Sequence, residues 1–159
     1  MPALYIAQEK LGWLPEEAFV WVGEQLSLSA AHVRGVASFY TMYYKQPVGA
    51  YHVQVCRTLS CMICGARGLT AHLRERLGIE AGQISADGLW SFEEVECLGS
   101  CGTAPMIEIN DVFFENLTPE SLDALMDRIE REKPELRYST IRAELGGGLS
   151  DRSRSRVWK

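Results

Sequence analysis

The chain has 159 residues, of which 47% are hydrophobic and 23% charged, the balance of a folded globular protein with one domain or two small ones. No apolar run approaches the ~18 residues that a membrane helix needs, and the first ten residues lack the basic-then-apolar pattern of a secretory signal, so the sequence predicts an intracellular protein that does not insert into a bilayer. A net charge of -5 and a pI of 5.3 argue against nucleic acid as the main partner.

The charge is unevenly spread. Residues 1–49 carry a net -1, residues 50–133 a net -7 and residues 134–159 a net +3, a neutral front, an acidic middle and a basic tail. In the front, Leu4, Ile6, Ala7 and Leu11 recur at near-helical spacing, and Pro15 suits the first turn of a second helix over 16–26, with Phe19, Val20, Val22 and Leu26 on its buried side. Ser29 is a suitable N-cap for a third helix over 30–39. Residues 1–46 therefore read as a small helical bundle. It ends in the aromatic run from Phe39 to Tyr44, which suits both internal packing and a partner's surface.

After Pro47-Val48-Gly49 the period changes to two. Tyr51, Val53 and Val55 alternate with His52 and Gln54, a strand ending at Cys56. Leu69, Leu73 and Leu77 mark a helix stopped by Gly78. A turn at Asp87-Gly88 leads to a strand over 92–96, and Met106, Ile107 and Ile109 form a third strand. Asn110-Asp111 turns into a fourth, over 112–115, and Pro119 opens a last helix with Leu122, Leu125, Met126 and Ile129. A βαβ unit, then a hairpin, then a helix is the thioredoxin-like arrangement. The fold class is thus α/β (α+β), with the bundle at 1–46 and a thioredoxin-like domain at 50–133. Residues 134–159 lose periodicity, contain Gly146-Gly147-Gly148 and end Ser/Arg-rich. They read as an extended tail that docks on a partner, with Tyr138 and Trp158 as anchors.

All five cysteines lie between Cys56 and Cys101, and in an intracellular protein such clustering favours metal or redox chemistry over structural disulfides. Cys56 and Cys61 are spaced C-x4-C, Cys97 and Cys101 C-x3-C, and each pair begins as a predicted strand ends. Neighbouring strands would bring four sulfurs to one end of the sheet, two for each iron of a [2Fe-2S] cluster. The stretches Leu98-Gly99-Ser100 and Gly102-Thr103-Ala104 let backbone N–H groups approach the sulfurs, and Thr58 and Ser60 add hydroxyl donors. The same spacings also suit a tetrahedral zinc site. Cys64 completes a C-x-x-C with Cys61 between a strand and a helix, where a thiol–disulfide oxidoreductase keeps its active site. Three readings stand at this point: an iron–sulfur electron carrier, a zinc-stabilised interaction module and a dithiol enzyme.

The stretches Gly35-Val36-Ala37-Ser38-Phe39-Tyr40-Thr41-Met42, Pro47-Val48-Gly49, Val95-Glu96-Cys97-Leu98-Gly99-Ser100-Cys101, Ala104-Pro105-Met106-Ile107 and Leu145-Gly146-Gly147-Gly148-Leu149 resemble the 24 kDa [2Fe-2S] subunit of respiratory complex I, known in bacteria as the E-type chain of NADH:quinone oxidoreductase. Related subunits occur in NAD-linked formate dehydrogenases and hydrogenases. The resemblance implies one [2Fe-2S] cluster on Cys56, Cys61, Cys97 and Cys101, with Cys64 outside the ligand set. It implies an electron-transfer role in the respiratory chain without catalytic side chains in this chain. FMN and NADH would sit on an adjacent flavin-bearing subunit, with other peripheral-arm subunits as further partners, on the inner side of the cell membrane. The family has a further helix before the one containing Ala7-Gln8-Glu9, and this chain begins near that point.

The remaining chemistry-bearing residues read as ordinary. His32, His52 and His72 fit packing or surface positions, Glu93, Glu94 and Glu96 a solvated strand face, and Arg152, Arg154 and Arg156 the docking of the tail on an acidic surface. There is no Gly-rich dinucleotide fingerprint.

Overall fold

The structure is a computed structural model that describes residues 1–137; of the docking tail expected over 134–159, the part from Tyr138 on, with Trp158 and the three tail arginines, lies outside the described residues. The chain divides into two compact units, Met1–Val48 and a second beginning at Gly49.

The first unit holds three helices, α1 (Pro2–Leu11), α2 (Glu16–Leu26) and α3 (Ala30–Phe39). Their core is Leu4, Ala7, Leu14, Ala18, Phe19, Val22, Val33, Ala37 and Tyr43. Ser29 caps α3 as expected, its hydroxyl accepting from the His32 N–H at 3.2 Å. Two expectations need correction. Pro15 sits one residue earlier than the first turn of α2, as its extended N-cap. Phe19 and Val22 are buried, but Val20 and Leu26 are about half exposed. The buried stripe runs Ala18, Phe19, Val22, Gly23, an i, i+1, i+4, i+5 pattern that leaves Val20 on the other side.

The aromatic run divides between the two uses foreseen for it. Tyr43 is fully buried and donates its hydroxyl to the Met1 carbonyl at 3.1 Å, whereas Phe39 is 78% exposed. Gln8 fastens this segment to α1: its amide donates to the Met42 carbonyl at 2.9 Å and accepts from the Tyr44 N–H at 2.7 Å.

The second unit contains β1 (Tyr51–Cys56), a short α4 (Leu59–Ile63), α5 (Ala66–Leu77), β2 (Trp90–Val95), β3 (Ile107–Ile109), β4 (Val112–Phe114) and α6 (Pro119–Glu132). The sheet order is β2-β1-β3-β4. β1 and β2 are parallel, with Tyr51 opposite Trp90 and Cys56 opposite Val95. β1–β3 and β3–β4 are antiparallel. This is the predicted βαβ, hairpin and helix. The second strand starts two residues earlier than the sequence suggested, and α4 was not foreseen, being too short to show a helical period.

One core joins Val53, Val55, Phe92, Ile107 and Ile109 of the sheet to Leu69 and Leu73 of α5 and Leu122, Met126 and Ile129 of α6. The two helices are tied by Arg76, whose guanidinium donates to Asp123 and Asp127 at 2.6 Å each. α6 begins with a capping box between Thr118 and Ser121. Past α6, Leu136 is fully buried and its carbonyl accepts the Asp111 N–H at 3.1 Å.

The alternation along β1 does not translate into an exposed face. All six residues are buried, because β1 is an inner strand. His52 and Gln54 meet their hydrogen-bonding needs on β2: His52 lies 2.8 Å from the Ser91 hydroxyl and 3.1 Å from the Glu93 carboxylate, and Gln54 donates to the same carboxylate at 2.8 Å. Glu93 is therefore the anchor of a buried polar row rather than a freely solvated acid. Glu94 accepts from Thr70, and Glu96 pairs with Arg57.

Candidate metal centre

β1 and β2 are adjacent and parallel, so both leave the sheet at the same end. Cys56 is the last residue of β1, and Cys97 follows the end of β2 by two positions. Arg57 and Glu96, one beside each of these cysteines, bridge the two exits through an exposed 2.6 Å ion pair.

The first exit turns at Thr58 into α4, which carries Cys61 on its inner side, 1% exposed. Cys64 caps the end of this helix and is exposed. The second exit turns at Gly99, whose φ of +87° is a conformation that favours glycine. It reaches Cys101 at the start of a 3-10 turn spanning Cys101–Thr103. Cys97 and Cys101 stand 3.5 Å apart between sulfurs.

The four sulfurs act on one another and share their donors. Burial pushes the Cys56 thiol up, but the Thr58 hydroxyl, the Leu98 and Thr58 N–H groups and the Cys61 thiol all hydrogen-bond to it and leave it below the usual thiol range. Thr58 Oγ1 lies 3.3 Å from Cys56 Sγ. Cys61, buried and donating to Cys56, is pushed up to about 11, even though the Met106 N–H points at its sulfur. Cys97 is held low by the Gly99 N–H first, then by the Cys101 thiol and the Thr58 hydroxyl. Its bond to Cys97 raises Cys101, while the Ser60 hydroxyl lowers it. Each loop thus pairs one sulfur held below the usual thiol range with one held above it, and charge on Cys56 is felt at Cys61, Cys97 and Cys101.

The structure therefore brings Cys56, Cys61, Cys97 and Cys101 together as two pairs, with Cys64 apart on the surface. Thr58 and Ser60 are the hydroxyl donors foreseen, and Gly99 supplies one of the foreseen N–H groups. Among the described residues no three His, Cys, Asp or Glu side chains form a site for a single metal ion. Two cysteine pairs ringed by N–H and hydroxyl donors fit a [2Fe-2S] cluster, which needs two sulfurs at each iron and donors to offset its negative charge.

The Leu98 N–H is a second of the foreseen groups. Two contributors escaped the sequence reading: the Met106 N–H group was not singled out, and neither was Glu115, whose carboxylate is bonded to Ser100 and Thr103 of the second loop. Backbone donors leave no trace in side-chain identity, and an acid after a hairpin strand looks like any solvated carboxylate. His52 is engaged with Ser91 and Glu93, and His72 with Asp123 at 2.8 Å.

The chain is similar to several known proteins. Over 127 residues the chain is 45% identical to NADH-quinone oxidoreductase subunit 2 of Thermus thermophilus, covering 79% of this chain and 70% of that protein. It is 40% identical over 127 residues to the E 2 chain of the NADH-quinone oxidoreductase of Rhizobium meliloti, with 80% and 76% covered. Among solved structures, an NAD+-reducing [NiFe]-hydrogenase in the air-oxidised state superimposes with a TM-score of 0.70 at 25% identity over 87% of this chain. This chain spans about a quarter of that hydrogenase chain, 24%. Residues 1–130 match the thioredoxin-like [2Fe-2S] ferredoxin family. With its helical bundle, its βαβ-hairpin sheet and its two cysteine pairs at one sheet end, this chain belongs to that family.

Proposed function

We propose that this chain holds one [2Fe-2S] cluster on Cys56, Cys61, Cys97 and Cys101, and that it is the electron-transfer subunit of an NADH–quinone oxidoreductase, beside a flavin- and NADH-binding subunit on the inner side of the membrane. The observation that carries the reading is the convergence of the two cysteine pairs where β1 and β2 end, each pair supplied with N–H and hydroxyl donors. The identity to the Thermus and Rhizobium subunits supports the choice of complex. A cluster bound there supplies one-electron storage, which suits a partner that oxidises a two-electron hydride donor.

The chain's own residues have binding and tuning roles. Burial of Cys56 and Cys61 keeps water from that side of the site, and the Leu98, Gly99, Met106 and Thr58 donors favour the sulfurs in their anionic form. No helix among the described residues is long and apolar enough to cross a membrane, in keeping with a peripheral subunit held by its partners.

Visible spectroscopy of the anaerobically purified or reconstituted chain tests this. A red-brown chromophore bleached by dithionite, with about two irons and two acid-labile sulfides per chain, is the expected result. A colourless chain binding one zinc would favour the interaction-module reading. Reversible dithiol–disulfide turnover lost on Cys64→Ser would favour the oxidoreductase reading.

A further inference from the structure

The segment after β4 runs beside the second cysteine loop and is fastened to it. The Asn116 N–H donates to the Thr103 carbonyl at 2.8 Å, and the Leu117 N–H to the Pro105 carbonyl at 3.1 Å. Next to these bonds, one carboxylate oxygen of Glu115 takes both hydroxyls of the loop. Thr103 Oγ1 donates to Glu115 Oε1 at 2.7 Å, and Ser100 Oγ donates to the same oxygen. The hydroxyl oxygens are 2.7 Å from each other. Ser100 immediately precedes Cys101, and Thr103 closes the 3-10 turn that Cys101 opens. All three residues are half-buried.

A carboxylate can only accept, and hydroxyl bonds to it are among the stronger ones. Glu115 thereby gathers both hydroxyls of the loop, with Thr103 Oγ1 also 3.1 Å from the Ser100 carbonyl, whereas the hydroxyls of Ser60 and Thr58 serve the sulfurs of Cys101 and of Cys56 and Cys97. One electron taken up by a cluster adds one negative charge, and a fixed negative charge nearby disfavours that state. On the reading of Cys97 and Cys101 as cluster ligands, we propose that Glu115 is a positioning residue for the cluster: it clamps the Cys101 side of the ligand loop through Ser100 and Thr103, and its charge lowers the cluster's reduction potential.

The test is a mediated redox titration of the full-length, cluster-loaded chain, followed by EPR and circular dichroism. Glu115→Gln keeps the acceptor oxygen and removes the charge. It should retain the wild-type visible spectrum while the reduced-to-oxidised ratio at fixed ambient potential rises about threefold to tenfold, tenfold being 59 mV for one electron. Glu115→Asp should move back towards the wild-type potential. Ser100→Ala combined with Thr103→Val keeps the charge and removes the clamp; it should alter the EPR line shape and speed cluster loss to a chelator. This pair serves equally if the Gln variant fails to load. A Glu115→Gln chain with the wild-type potential, or a clamp-free chain with the wild-type line shape and chelator resistance, would overturn the proposal. A wild-type chain that takes up no [2Fe-2S] cluster would overturn the ligand reading instead.

Discussion

Cys56 pairs with Val95 in the last rung of the parallel β1–β2 ladder. That one pairing sets the position of the whole site: a parallel pair sends both chains out at the same sheet end, and Cys97 comes two residues past the rung. An antiparallel pairing of the same strands would have separated Cys56 and Cys97 by the length of the sheet. The site is thus a product of strand direction as much as of cysteine spacing.

The pairing predicts which cysteines matter. Cys56, Cys61, Cys97 or Cys101 changed singly to Ala should abolish or destabilise the cluster, read as loss of visible absorbance and iron. Cys64→Ala should leave the spectrum unchanged, because Cys64 ends α4 and stands outside the set of four sulfurs that act on one another. A bleached Cys64→Ala chain beside a coloured Cys101→Ala chain would show that the ligand set is different.

Glu108 in β3 predicts a pH effect on stability. Burial first, then the Asp111 charge, raises its carboxyl from 4.5 to about 7. Below pH 4.5 the group is protonated whether folded or unfolded and imposes no cost. Between 4.5 and about 7 the unfolded chain ionises it first, so stability falls as pH rises; above 7 the cost is constant, on the order of 3 kcal/mol at most. Glu108→Gln should therefore gain stability relative to wild type from pH 4 to pH 8. Urea melts at the two pH values check this, and equal differences at both would contradict it.

The capping box at the start of α6 and the sheet core should differ in weight. Thr118→Ala removes the acceptor of the Ser121 N–H and should cost about 1 kcal/mol. Phe92→Ala empties a fully buried position under the helices and should cost about 3–5 kcal/mol. Denaturant melts of the two variants at matched cluster content give both values.

The basic tail is the expected tether to the complex. Deleting residues 138–159 should leave the cluster spectrum unchanged but reduce co-purification with the flavin-bearing partner, since a tethered second contact multiplies affinity. Retention of the truncated chain equal to wild type across salt concentrations would show the tail to be dispensable.

The isolated, flavin-free chain should not oxidise NADH, as it lacks a Gly-rich dinucleotide fingerprint. Steady turnover in a stopped-flow or plate assay would contradict the carrier role.

By itself the sequence determined the order of elements, the helix start at Ser29 and the helix stop at Gly78, the two cysteine spacings and their places at strand ends. These are local properties, written in period, caps and turn residues. Only the tertiary structure decided which strands are neighbours and what each side chain meets. The alternation of Tyr51, Val53 and Val55 with His52 and Gln54 suggested one wet face, yet β1 is an inner strand and its polar residues are buried against Ser91 and Glu93. Val20 looked like core and is exposed, because which side of an amphipathic helix is covered depends on its neighbours. The small residues of Leu98-Gly99-Ser100 marked where donors could approach, but the Met106 N–H group and the Glu115 carboxylate had no sequence signature at all. Backbone donors are carried by nearly every residue, and only the path of the chain aims them at a sulfur.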